Sequence, residues 1–185
     1  IVISGVGAFN KPKYPSVTNL DRFTGDSVHS ARWPEQGVEL VGRNVIVVGN
    51  GASAMQLVPA IADQVRSLTV IQRAPQWAAP FPKFKKKVPT AVQRLIEAVP
   101  LYRLWYRLRL SWAFNDKFYD ALQVDAKWPH PQRSINAIND KHRDGLTRYI
   151  ESELGNRQDL LPDLIPDYPP FGKRLLMDNG WARTL

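Results

Sequence analysis

Asn44-Val45-Ile46-Val47-Val48-Gly49-Asn50-Gly51-Ala52-Ser53-Ala54 is the stretch that decides the fold. A short run rich in β-branched residues leads straight into a glycine turn, after which Met55, Leu57, Val58, Ile61, Ala62 and Val65 recur at helical spacing. A second β-forming run, Leu68-Thr69-Val70-Ile71, follows. Strand, glycine turn, helix and strand within about 30 residues make the βαβ unit of a parallel sheet. The expectation is an α/β protein with a Rossmann-like, doubly wound parallel sheet. Pro59 falls inside the helical pattern, where it removes a backbone donor and crowds the preceding turn, so a kink or an early bend is expected.

The same turn carries chemistry. Gly49 permits the tight turn, Gly51 lets a pyrophosphate approach the backbone, and Ala54 keeps helix and strand close. The amides of Ala52, Ser53 and Ala54 at the start of the helix attract negative charge. At the end of the second strand an NAD-specific site would place a carboxylate for the ribose 2′-hydroxyl, but this chain has Gln72-Arg73. A guanidinium there can hold a 2′-phosphate through paired hydrogen bonds, so NADPH is favoured over NADH. A solvated cation at the strand end is the alternative reading of Arg73.

Working outward, Ile1-Val2-Ile3-Ser4-Gly5 reads as the end of a buried strand, and Lys11-Pro12-Lys13-Tyr14-Pro15 as an extended linker. Residues 75–89 are Pro-rich and basic, with Lys83 and Lys85-Lys86-Lys87, and predict an exposed loop. Val92, Leu95, Ile96 and Val99, then Leu101, Leu104, Trp105, Leu108 and Trp112, predict two amphipathic helices separated by Pro100. A Pro-bounded patch at Trp128-Pro129-His130-Pro131 precedes a helix expected over about 140–154, and the tail is loop-rich.

With 185 residues, 44% hydrophobic and 23% charged, the chain has an ordinary globular balance, which argues against disorder. A net charge of +8 suits nucleic acid, an anionic membrane or a phosphorylated cofactor, and composition does not choose among them. The absence of cysteine excludes disulfides, thiolate metal sites and a thiol nucleophile. No metal is expected. No apolar run approaches the roughly 20 residues needed to cross a bilayer, so a soluble, cytoplasmic protein is expected.

Phe23-Thr24-Gly25-Asp26-Ser27-Val28-His29-Ser30-Ala31-Arg32-Trp33-Pro34 reads, from its residues alone, as an ordered loop with a structural histidine. The pattern F-x-G-x-x-x-H-x-x-x-W followed by proline nevertheless resembles the fingerprint of Baeyer–Villiger monooxygenases, and Gly49 follows Trp33 at the family's short distance. The resemblance implies FAD and NADPH as cofactors and oxidation of a ketone by O2 to an ester or lactone through a C4a-peroxyflavin. It implies that His29 couples the two cofactor domains. Pro169-Pro170-Phe171-Gly172-Lys173-Arg174 resembles the family segment that delivers an arginine to the flavin. By that match Arg174 is the active-site arginine, and Lys173 helps to hold the NADPH 2′-phosphate. The stretch from His130 through Asn136 and Asn139 to Arg143 is most similar to the 4-hydroxyacetophenone monooxygenase branch. Ala74 departs from the pattern, since relatives often carry a hydroxyl residue there.

Nothing like the family's glycine-rich FAD fingerprint precedes Ile1, so the resemblance implies an internal fragment, inactive by itself. Residues 1–34 are expected to hold the end of the FAD-domain half and the interdomain linker. Residues 35–185 are expected to form the NADPH-binding domain, with a helical insertion over about 88–155 and a C-terminal segment returning to the active site. Competing readings are an N- or S-oxygenating flavin monooxygenase, and a non-enzymatic module that touches a membrane through Arg103, Arg107 and Arg109 among Leu and Trp, although the same pattern is better read as a helix packed over the cofactor or substrate domain. Nucleic-acid binding ranks below these, because the cations are scattered.

Overall fold

The computed structural model describes residues 11–82 and 86–185. The expected strand at Ile1–Gly5, and Lys83 and Lys85 of the basic loop, lie outside the described residues. The described residues fold as an α/β structure with two small parallel sheets. Strand β1 (Asn44–Val48) pairs in parallel with β2 (Ser67–Ile71), with Val45 opposite Leu68 and Val48 opposite Ile71. Between them runs helix α1 (Ala52–Ile61), which buries Ala54, Met55, Val58 and Ile61, one apolar stripe at helical spacing. That stripe joins a core that includes Val47, Leu68 and Val70 from one face of the sheet. Pro59 sits inside α1, and the helix ends at Ile61, short of the Val65 that the apolar pattern reaches.

The opposite face of the β1–β2 sheet is bare, with Ile46, Val48 and Ile71 each more than half exposed. A doubly wound sheet is covered on both faces. Among the described residues this one is covered on one.

The second sheet joins distant segments: β3 (Ala78–Pro80) pairs in parallel with β4 (Leu176–Asp178). Helix α2 (Thr90–Ala98) and helix α3 (Tyr102–Phe114) follow β3 and pack against each other as a hairpin. Helix α4 (Ala137–Leu154) is different, since Leu146, Ile150 and Leu154 enter the core beside Trp77, Leu176 and Trp181. Its start is set by Asn136, whose side chain accepts a 2.7 Å hydrogen bond from the Asn139 amide. Its end is set by Gly155 at φ +55°. Two short helices, α5 (Leu161–Leu164) and α6 (Trp181–Thr184), close the core. The segment expected as one insertion thus holds an outlying hairpin and a core helix.

Asp178 anchors this end. One carboxylate oxygen accepts from the Gly180 and Trp181 amides at 2.8 and 2.7 Å, and the other accepts from the Tyr149 hydroxyl at 2.9 Å. Burial, reinforced by that carboxylate, pushes the Tyr149 phenol well above its ordinary value. Asp178→Ala leaves two amides and a phenol without their acceptor. It is expected to cost about 2–4 kcal/mol in urea unfolding and to lower the Tyr149 titration midpoint read by ultraviolet absorbance.

Candidate dinucleotide-binding site

The glycine turn opens at the carboxyl end of β1. Gly49 has φ +107°, a region that L side chains rarely adopt, and its amide donates a 2.8 Å hydrogen bond to the Ile71 carbonyl of β2. A Cβ placed on Gly49 or Gly51 would meet no atom within 4 Å, so open space faces the turn. No side chain caps the start of α1, and Ala52 and Ser53 are exposed there, while Ala54 is buried against the sheet. Unfilled amides beside an open turn suit an anion.

Asn50, between the two glycines, is buried and is a residue that sequence reasoning missed. Its side-chain amide donates to Gln72 Oε1 at 2.7 Å and to the Ala74 carbonyl at 2.8 Å, tying the turn to the end of β2. Gln72 in turn donates to the Asp163 carbonyl at 2.6 Å. Both ends of the Gln72 amide are thus engaged inside the protein, and its side chain positions the crevice. Arg73, next along, is exposed and makes no hydrogen bond or ion pair among the described residues. A small enclosed space, with room of about 10 Å³, lies beside this corner between Gln72, Gln76, Asp178 and Trp181.

The second cationic group arrives on the Pro-rich loop. Lys173 places its ammonium 4.2 Å from the centre of the Tyr168 ring, and the Tyr168 hydroxyl donates to the Pro75 carbonyl at 3.0 Å, two residues beyond Arg73. Lys173 thus stacks on a tyrosine whose hydroxyl reaches the segment just beyond Arg73. Arg174 is exposed, with no partner among the described residues. Immediately before them, Phe171 takes φ +66°, a strained setting for a bulky residue. Its ring packs 5.5 Å from Phe118 and 5.4 Å from His142, and these contacts hold the turn.

The loop itself is fastened to α4. Arg143 has no carboxylate at ion-pair distance among the described residues. It donates instead to the carbonyls of Arg133, Tyr168 and Pro166 at 3.0, 3.3 and 3.0 Å, with its guanidinium over the Trp77 ring. Asn139, fully buried, donates to the carbonyls of Ala121 and Pro170 at 3.1 and 3.0 Å.

His29 stands apart. Its Nδ1 accepts from the Ala31 amide at 3.1 Å, and its ring meets Tyr14 edge-on at 5.3 Å. No hydrogen bond or ring contact among the described residues ties it to the glycine turn or to Arg174. The Phe23 ring folds over Gly25, where an added Cβ would sit 2.6 Å from its tip and push the exposed ring aside. Among the described residues no group of His, Cys, Asp or Glu is placed to hold a metal. No helix there is long and apolar enough to cross a membrane.

A glycine turn after one parallel strand and an exposed cation after the next form a candidate dinucleotide site, and similarity to known proteins gives the chain's class. Over its whole length the chain is similar to one segment of FAD-binding and Baeyer–Villiger monooxygenases. It is 55% identical over 185 residues to the uncharacterized monooxygenase y4iD of Sinorhizobium fredii, matching all of this chain and 28% of that protein. It is 32% identical over 185 residues to a Baeyer–Villiger monooxygenase of Streptomyces coelicolor, matching all of this chain and 33% of that protein. Among solved structures, an oxidized steroid monooxygenase bound to NADP superimposes with a TM-score of 0.68 at 26% identity, over 94% of this chain and 37% of that one. OTEMO in complex with FAD and NADP does so with a TM-score of 0.60 at 25% identity, again over 94% of this chain and 37% of that one. The chain thus spans about a third of the length of the proteins it matches. No family model matches it.

Two outcomes follow from the loop anchors. Arg143→Ala strands the Arg133 and Pro166 carbonyls, leaves that of Tyr168 to the Trp77 indole alone and bares the Trp77 face, and it is expected to cost about 2–4 kcal/mol in denaturant unfolding. Arg143→Lys should recover only part of this, since an ammonium lacks the planar fork that spans three acceptors. Burial between the aromatic rings holds His142 below its ordinary value of 6.5. The unfolded chain therefore takes up the proton first. The stability tied to neutral His142 is complete above pH 6.5 and is lost as pH falls through the depressed folded value. Thermal melts from pH 7.5 to 5.5 should show this decline, and His142→Asn should flatten it.

Proposed function

We propose that this chain is the NADPH-binding part of a flavin-dependent monooxygenase of the Baeyer–Villiger type, acting with FAD and O2 on a ketone. One observation carries the reading: the open glycine turn and Arg73, which has no partner among the described residues, follow the paired carboxyl ends of β1 and β2, and Lys173 stacks on the tyrosine whose hydroxyl bonds just beyond Arg73. Topology of this kind binds dinucleotides at that end. The turn would take the pyrophosphate on the amides at the start of α1, and Arg73 with Lys173 would take the 2′-phosphate. NADPH supplies the reducing hydride, and FAD the activation of oxygen, when both are bound.

The remaining assignments rest on the same reading. Arg174, exposed at the end of the loop that Phe171 strains, serves as the active-site arginine, where a fixed cation stabilises developing negative charge. His29, anchored through Nδ1, serves at the junction of the FAD and NADPH domains. The domain division at residue 34, the helical insertion over about 88–155 and the doubly wound sheet belong to this proposal as well. The bare apolar face of β1–β2 supports the sheet assignment, because it needs a covering layer. Assignment to the 4-hydroxyacetophenone monooxygenase branch rests on the sequence resemblance from His130 through Asn136 and Asn139 to Arg143 alone.

Calorimetry tests the cofactor assignment on the flavin-loaded protein. NADPH should bind more tightly than NADH, and Arg73→Ala should weaken NADPH about 10- to 100-fold while leaving NADH within about twofold, as the loss of one charge-assisted phosphate contact requires. Equal losses for the two cofactors would remove Arg73 from the 2′-phosphate.

A further inference from the structure

The α2–α3 hairpin is the largest feature that the cofactor reading does not use. On α3, Leu104, Leu108 and Trp112 fall on one line at intervals of four, with Trp105 beside them, and they are 55, 61, 60 and 51% exposed. The half-buried residues of this helix, Tyr102, Tyr106 and Ala113, lie on its other side. Leu101, at the tip between the helices, is 76% exposed and takes φ +64°, a left-handed conformation costly for leucine. A soluble surface rarely leaves so continuous an apolar strip uncovered.

Charge identifies the partner. Arg103 and Arg107 flank the strip on one side and Arg109 on the other, with the Arg109 guanidinium 5.7 Å from the centre of the Trp105 ring. No acidic residue occurs in α3. An apolar strip of Leu and Trp bordered by arginines matches a helix lying in a headgroup layer: the indoles and leucines enter the acyl boundary, and the guanidiniums stay with the phosphates. A protein partner would more often answer the arginines with carboxylates, leaving the strip to a separate pocket.

We propose that the α2–α3 hairpin docks the protein on an anionic phospholipid surface, with the strip from Leu104 to Trp112 embedded and Arg103, Arg107 and Arg109 held at the lipid phosphates. The inference is independent of the dinucleotide site, which lies on other elements.

Flotation of the intact protein with vesicles tests it. Vesicles of phosphatidylcholine with about 30% phosphatidylglycerol should carry the protein upward at about 0.1 M salt, and pure phosphatidylcholine should not. Raising salt to about 0.5 M should release it, because screening shortens the reach of the arginines. Arg103→Gln, Arg107→Gln and Arg109→Gln together should lower the partition coefficient on the order of 100-fold. Leu108→Ser with Trp112→Ser should abolish flotation at unchanged NADPH affinity and unchanged melting temperature, since both residues are exposed. Several results would overturn the proposal. They are no flotation of the folded protein on anionic vesicles, flotation indifferent to both sets of substitutions, and a concentration-dependent dimer that the Leu108 and Trp112 substitutions dissolve without vesicle binding. Flotation of the isolated chain but not of the longer protein would also overturn it, because the strip would then be covered by the protein's own remainder.

Discussion

Burial of Trp77 is the constraint on which the rest of the structure depends. A buried indole needs an acceptor for its N–H, and Trp77 finds it in the Tyr168 carbonyl at 2.9 Å. The Tyr168 hydroxyl answers by donating to the Pro75 carbonyl, so the exit of β2 and the Pro-rich loop are locked to each other reciprocally across about 90 residues of sequence. The Trp77 carbonyl accepts from the Leu176 amide at 3.0 Å, which begins the β3–β4 pairing, and the Arg143 guanidinium lies over its ring. One side chain therefore fixes the relation between the βαβ unit, helix α4 and the segment that carries Lys173 and Arg174.

Helix α4 supplies the other half of that arrangement through polar groups that would be costly if unpaired. Asn136 donates to the Asp120 and Gln123 carbonyls, Asn139 to those of Ala121 and Pro170, and Arg143 to three more. These carbonyls lie in loops or in the single 3-10 turn at Asp120–Leu122, outside the sheets and the longer helices, where few backbone partners are on offer. The side chains of one helix thus stand in for a sheet or helix ladder, and the irregular segments around the site become as fixed as strands. Among the described residues Asn139 Oδ1 has no partner, a cost tolerated because the same side chain ties two distant segments together.

Local physics was legible in the sequence, and distant pairing was not. The glycine turn, both strands of the βαβ unit and the break between two helices at Pro100 follow from periodicity, backbone freedom and missing donors, all of which act within a few residues. The β3–β4 pair is only three residues long on each side and nearly a hundred apart, too short to show a period and too far apart to show a turn. Gln72 read as a cofactor contact because it stands at the strand end, yet its amide is spent on Asn50 and Asp163. A side chain's partner across the fold leaves no local signal. Arg73 carried the stronger sign, since a cation where a carboxylate is usual needs no tertiary knowledge to be noticed.

The two apolar surfaces left open differ in the one property that distinguishes their partners. The strands β1 and β2 contain no charged residue, so the face formed by Ile46, Val48 and Ile71 has nothing to keep at a water or lipid boundary. Such a face suits a further layer of the same protein, packed as a core is packed. The strip on α3 is bordered on both sides by arginines, whose burial under a protein layer would demand carboxylates or carbonyls for each guanidinium. A headgroup layer meets that demand without folded geometry, because phosphates move to the cations. Equal apolar exposure therefore points to different neighbours, and the arginines flanking Leu104, Leu108 and Trp112 decide which.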